Sequence, residues 1–250
     1  MATGDQSRDR GSGGGTYTLS TGHTVELPLD VEATMLGAAF SVPEARVADL
    51  LPDGLSPVSL RNGRAVVTFL SVEYHAMDIE GLDPYDEFAV MVPSTHGSPT
   101  TVPYATALRH ATDGYVWTMP VTTEPACALG VDVWGYPKVV ADIAHTDRRS
   151  RRETRVEIDG DHLLTFEIER PPTAAVSDDG FSYAVKEGDL LRIPNEVDGD
   201  LGFWPLSSEV SVRLGDHPTA EPLRALALGD RALARFSIDG TVTFFDGKRV

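Results

Sequence analysis

Lysine is nearly missing from this sequence, with three copies against eighteen arginines in 250 residues. Cysteine occurs once, as Cys127, which excludes an internal disulfide and a thiolate metal cluster and fits a reducing, cytoplasmic location. Set in Glu124-Pro125-Ala126-Cys127-Ala128-Leu129-Gly130, it reads as a small buried hydrophobe rather than a nucleophile. Positive charge is scarce as a whole: the formal net charge of -17 opposes the field that a nucleic-acid partner requires. The one basic run, Arg148, Arg149, Arg151 and Arg152, lies between strand-like segments and is expected to be a solvated hairpin loop. No stretch reaches the roughly eighteen consecutive apolar residues of a membrane span, so no membrane partner is expected.

Several chemical motifs are absent as well. The seven histidines, His23, His75, His96, His110, His145, His162 and His217, show no His-Glu-x-x-His and no i, i+4 pair, so the sequence supports no metal site. The Gly11-Ser12-Gly13-Gly14-Gly15 run has neither a preceding strand nor a following Lys-Ser/Thr and is not a phosphate loop. There is no Gly-x-Ser-x-Gly elbow of a serine hydrolase. Few lysines with abundant Asp also resemble a surface adapted to concentrated salt. That is a hypothesis, supported if the protein unfolds at low salt and contradicted by stability that ignores salt.

What is present reads mainly as strand. Residues 65–72, 115–119, 154–158, 163–168, 210–214 and 241–245 are rich in β-branched and aromatic residues, and several alternate polar with apolar. Asn62-Gly63, Asp113-Gly114, Asp159-Gly160 and Asp239-Gly240 are turn dipeptides, three of them between strand-like runs as in hairpins. Pro43 to Leu51 and Pro218 to Leu228 have helical spacing of apolar residues, and Asp216 is a possible cap for the second. Residues 1–15 are Gly, Ser, Asp and Arg with no apolar run, and are expected to be a disordered tail before a single domain over 16–250. This density of strands favours a mainly β (α+β) fold: a closed, largely antiparallel β-barrel with a few short peripheral helices.

Against the scarcity of lysine, Lys138 stands in the apolar run Val133-Trp134-Gly135-Tyr136-Pro137-Lys138-Val139-Val140. Unlike arginine, a lysine amine can be desolvated until it is partly neutral and nucleophilic. The alternative is a structural lysine whose stem is buried and whose ammonium reaches water.

The stretch Gly130-Val131-Asp132-Val133-Trp134-Gly135-Tyr136-Pro137-Lys138 resembles the Gly-x-Glu/Asp-x-x-Gly/Ala-hydrophobic-Pro-Lys hallmark of the acetoacetate decarboxylase family. Two further blocks follow the family's order. Leu82-Asp83-Pro84-Tyr85-Asp86-Glu87-Phe88-Ala89-Val90-Met91-Val92-Pro93 is similar to the segment carrying its active-site glutamate, which falls on Glu87. Trp204, Gly215-Asp216-His217-Pro218 and Glu221-Pro222-Leu223 resemble its C-terminal pattern.

The resemblance implies a homo-oligomeric lyase that needs no cofactor and decarboxylates a small β-keto acid through an imine on Lys138. Acetoacetate to acetone and CO2 is the type reaction. Amine activation of this kind is the family's own chemistry and is not read from spacing here. Glu87 would orient substrate or carry a proton, Tyr136 matches a pocket residue, and Met119 is a weaker pocket candidate with core packing as its other role.

Two departures stand out. Val139 replaces the second lysine of the best-known decarboxylases, which leaves desolvation by Trp134, Tyr136, Val139 and Val140 to activate the amine. The early strand Val31 to Leu36 lacks the family's arginine, for which Arg46, Arg61, Arg64, Arg109 or His75 are possible substitutes. A sister activity on a 2-oxo acid (aldol condensation, dehydration or cyclisation) and a non-catalytic small-molecule-binding barrel are the alternatives.

Overall fold

A computed structural model describes residues 14–97, 100–103 and 111–250. Most of the expected tail, residues 1–13, and both Arg109 and His110 lie outside these. The chain begins with a hairpin of β1 (Thr16–Thr18) and β2 (Thr24–Glu26), then the long β3 (Leu29–Pro43) and the one-turn helix α1 (Glu44–Ala48). Next come β4 (Leu55–Leu60), β5 (Arg64–Met77), β6 (Tyr85–His96), β7 (Thr100–Thr101) and β8 (Gly114–Val121). Helix α2 (Glu124–Ala128) runs into a π-helical turn (Leu129–Trp134), followed by β9 (Lys138–Val140). The second half comprises β10 (Asp142–Arg148), β11 (Arg151–Ile158), β12 (Asp161–Glu169), β13 (Thr173–Lys186) and β14 (Asp189–Ser207). After these come β15 (Val210–Leu214), α3 (Ala220–Ala225), β16 (Ala232–Phe244) and β17 (Lys248–Arg249).

The fold is mainly β. In the larger sheet β6, β5, β3, β16, β14, β13 and β8 follow one another, and a further β6–β8 pairing links the two ends of this path. Most neighbours are antiparallel, while β13–β8, β8–β9 and β4–β7 are parallel. A second sheet, β10-β11-β12-β15, lies against the outer face of β5 and β6. Phe88 of β6 meets Phe166 of β12 at 5.7 Å between ring centres, and Ser71 of β5 bonds Thr154 of β11 at 2.8 Å.

This stacking explains the sequence pattern. Alternation survives at the start of β3, where Asp30 and Glu32 are exposed between buried Leu29, Val31 and Ala33. It vanishes from Thr34 onward and throughout 65–72, because there the strands are covered on both faces. Parity then divides two cores. Val66, Leu70, Val72 and Tyr74 of β5 face the interior of the ring of strands, and Ala65, Val67 and Phe69 face the second sheet.

Three expectations need correction. Asp239-Gly240 is no turn but lies mid-strand in β16, with Gly240 paired to Gly199 of β14. A Cβ on Gly240 would stand 2.7 Å from the Gly199 Cα, so the pair of glycines permits a close backbone approach. The basic run is a β10–β11 hairpin turning at Arg149, whose φ is 58°, with Arg148 and Arg149 exposed at its tip as expected, but Arg152 is not solvated. Arg152 is buried and joins Asp147 at 2.8 Å and Glu73 at 2.7 Å, tying the second sheet to β5. The second helix is shorter than its periodicity predicts and starts after Thr219, leaving Asp216 exposed outside it.

Candidate active site

Parity positions the first site residue. On β6, Tyr85, Glu87, Ala89 and Met91 face the interior of the ring while Phe88, Val90 and Val92 face the second sheet. Glu87 is thereby a carboxylate held inside, 3% exposed, beside Asp86, which turns outward to His145 at 3.4 Å.

The lysine arrives from the other end of the path, by way of α2 and the π-helical turn. Thr123 caps α2, its hydroxyl accepting the Ala126 N–H at 3.3 Å, and Pro125 sits in the first turn where no donor is needed. The π-turn ends at Gly135 in the left-handed region, φ 73°, where a Cβ would lie 2.6 Å from the Lys186 Cβ. Lys186 donates to the orphan carbonyls of Asp132 at 2.6 Å and Val133 at 3.1 Å, and the Trp134 indole donates to the Phe245 carbonyl at 2.9 Å. The chain then doubles back so that Lys138 in β9 pairs with Met119 of β8. Its stem lies across Gly130, whose hypothetical Cβ would be 2.5 Å from the Lys138 Cδ. Both glycines of the motif thus have a steric reason.

Lys138 Nζ ends 2.7 Å from Glu87 Oε2, with both side chains about 5% exposed or less. The other carboxylate oxygen, Oε1, accepts the Tyr74 hydroxyl at 3.2 Å, and the Tyr85 ring centre lies 5.3 Å from Nζ. These groups border a cavity of about 100 Å³ whose walls are mostly apolar, including Val31, Met35, Val72, Val116, Leu129 and Val242. Polar groups on its wall include Ser182, which shares a hydrogen bond of 2.6 Å with the Tyr136 hydroxyl, and Asn195. Lys138, Glu87, Tyr136 and Met119 all line this one cavity, and Met119 also belongs to the core around it.

The electrostatics differ from the expectation. Burial does favour the neutral amine, but the charge of Glu87, helped by Tyr85 and by the hydrogen bond to Glu87, outweighs it and holds Lys138 above the usual lysine range. Nor do Val139 and Val140 desolvate the amine, being 39% and 45% exposed. Lys138 is thereby held as an ammonium beside Glu87. Burial pushes the Tyr85 hydroxyl up to about 12 and raises Tyr74 and Tyr136 further, which leaves all three as neutral donors near pH 7.

None of the proposed arginine substitutes among the described residues reaches the cavity. Arg64 bonds Ser41, and His75 bonds Thr34 on the outer side. Cys127 is half-buried, its thiol donating to the Lys138 carbonyl at 3.5 Å, and is not the enclosed residue expected. Among the described residues, no three His, Cys, Asp or Glu side chains converge as a metal site would require. Tyr74, Tyr85, Ser182 and Asn195 were not anticipated. Tyr74 was within reach, since it continues the inward parity of Leu70 and Val72, and Tyr85 lies inside the Glu87 block.

The described residues thus form a mainly β scaffold that encloses a lysine–carboxylate pair in a small, mostly apolar cavity. The sequence profile of the acetoacetate decarboxylase (ADC) family matches residues 16–250, and the chain belongs to that family. No curated protein matches it. Among solved structures it is similar to an acetoacetate decarboxylase from Legionella pneumophila subsp. pneumophila str. Philadelphia 1, at 16% identity and TM-score 0.62 over 89% of this chain and 87% of that one. Another acetoacetate decarboxylase has 15% identity and TM-score 0.61 over 89% of both chains. The enduracididine biosynthesis enzyme MppR complexed with pyruvate has 13% identity and TM-score 0.64 over 95% of this chain and 98% of that one. At such identities the likeness is one of fold. No helix among the described residues is long and apolar enough to cross a membrane.

Proposed function

We propose that the protein is a lysine-imine enzyme acting on a small carbonyl compound, with decarboxylation of a β-keto acid such as acetoacetate as its reaction. The observation that carries this is the buried Lys138–Glu87 pair on the wall of an apolar cavity. A cavity of about 100 Å³ is smaller than the roughly 150 Å³ that holds benzene, which suits a substrate of few heavy atoms. The β6–β8 pairing supports reading the seven linked strands as a closed barrel around it.

Glu87 takes the ammonium proton, and the free amine of Lys138 adds to the ketone carbon to give a carbinolamine. Loss of water leaves a protonated imine. The bond between the α-carbon and the carboxylate then breaks, CO2 departs, and the bonding electron pair moves into the enamine while the imine nitrogen becomes neutral. Protonation of the enamine carbon and addition of water release the methyl ketone and restore the amine. Tyr136 and Met119 shape the wall against which the substrate lies.

The pyruvate bound by MppR, which shares the fold, supports a second reading: imine activation of a 2-oxo acid for aldol, dehydration or cyclisation chemistry without CO2 loss. Incubation with acetoacetate and with pyruvate, followed by borohydride reduction and mass mapping, tests both. An adduct on Lys138 is expected, and CO2 release separates the two reactions. Absence of any adduct would leave a non-catalytic binding protein. Lys138→Arg should fold yet form no adduct and lose turnover.

A further inference from the structure

Glu87 presents its two oxygens to two different partners. Oε2 faces Lys138 Nζ at 2.7 Å, while Oε1 accepts the Tyr74 hydroxyl at 3.2 Å, and all three side chains are buried. The second contact is built into the sheet. Antiparallel register sets Tyr74 of β5 opposite Tyr85 of β6 and Val72 opposite Glu87, so the Tyr74 hydroxyl reaches Glu87 diagonally along the inner face. The Tyr74 and Tyr85 rings pack 4.6 Å apart, which fixes the direction of that reach.

A carboxylate anchored at one oxygen only can rotate about its terminal bond, and a proton acceptor must present one oxygen in a fixed direction. We infer that Tyr74 is a positioning residue of the imine-forming site, its hydroxyl holding Glu87 as an oriented anion whose free oxygen takes the Lys138 proton. This rests on the reading of Lys138 as the imine-forming amine. The titratable groups facing Glu87 among the described residues are Tyr74 from β5, Tyr85 from β6, Lys138 from β9 and Tyr136 from the segment before it. The three tyrosines stay protonated across the acid range, so the acid limb of imine formation follows the proton shared by the Lys138–Glu87 pair.

Tyr74→Phe removes the hydroxyl and keeps the ring stacked on Tyr85. Without its donor the buried anion is less favoured, so the acid limb of the pair begins at higher pH. The loss of one hydrogen bond to a charged acceptor moves that limb upward by about one to two pH units. The measurement is the rate of borohydride-trapped adduct on Lys138 between pH 4 and 9, with whichever of acetoacetate and pyruvate labels the wild type. Val72→Ala, on the same strand and cavity wall but without a hydrogen bond, controls for packing: whatever its rate, its limb stays at the wild-type pH. If Tyr74→Phe does not fold, 3,5-difluorotyrosine at position 74 keeps the ring and makes the phenol a stronger donor, moving the limb downward. An unmoved limb in the folded variant overturns the assignment. Absence of adduct in the wild type overturns the imine reading itself, a separate outcome.

Discussion

Replacing Glu87 with Gln leaves the Lys138 amine buried without its counter-charge, and the cost can be bounded. An unpaired ammonium at this site can always escape by losing its proton. At pH 7 that costs at most 1.36 kcal/mol for each unit below the ordinary lysine value of 10.5, or about 4.8 kcal/mol. The bound agrees with the roughly 3–5 kcal/mol typical of breaking a buried pair from one side. At pH 9 the same ceiling is about 2 kcal/mol.

The wild type behaves oppositely. Its Lys138 is held above the ordinary value, so the stability from that group is fully present below pH 10.5 and is lost only as pH rises beyond it. Between pH 7 and 9 the wild-type contribution of Lys138 is therefore flat, and the gap between the two proteins narrows by up to about 2.7 kcal/mol. At roughly 2–4 °C per kcal/mol for a chain of this size, Glu87→Gln recovers about 5–11 °C relative to wild type over that interval. Thermal and urea unfolding of both proteins at pH 7 and 9 measure it. A Glu87→Gln/Lys138→Met pair, with no ammonium left, should show no such recovery. A Glu87→Gln deficit equal at both pH values would refute the reasoning.

Two further outcomes separate the site from its support. Gly130→Ala pushes a methyl group into the Lys138 stem, so trapping with either keto acid should fall at least tenfold with no change of charge; unchanged trapping would show that the stem can shift freely. Phe166→Ala opens a hole between the two sheets and should lower stability by about 3–5 kcal/mol in urea unfolding. The folded protein should still form the adduct at the wild-type rate, because Phe166 lies on the far side of β6 from the cavity.

How far the sequence reveals this molecule depends on burial. Residues 65–72 and 163–168 are legible as strands because their side chains pack, and Asp159-Gly160 is legible as a turn because both residues adopt positive φ, 53° and 84°. Strands β13 and β14 escape notice for the opposite reason. Thr173 to Asp179 is exposed throughout, and β14 carries Pro194, Gly199 and several acids, so tertiary pairing overrides local composition. Lys138 and Glu87 are legible through the family blocks, and the structure brings them together. The environment of the amine is not, because its flanking valines turn toward solvent while the opposing charge arrives from a distant strand.

The alternation along β6 has a consequence for how such a protein can change over time. Ala89 and Met91 meet the cavity, whereas Phe88, Val90 and Val92 anchor the neighbouring sheet, and no residue of this stretch serves both. Mutations that reshape the cavity and mutations that erode robustness therefore fall on interleaved but disjoint positions. A lineage or a library can reshape the cavity by varying every second residue while the scaffold's tolerance is held by the others.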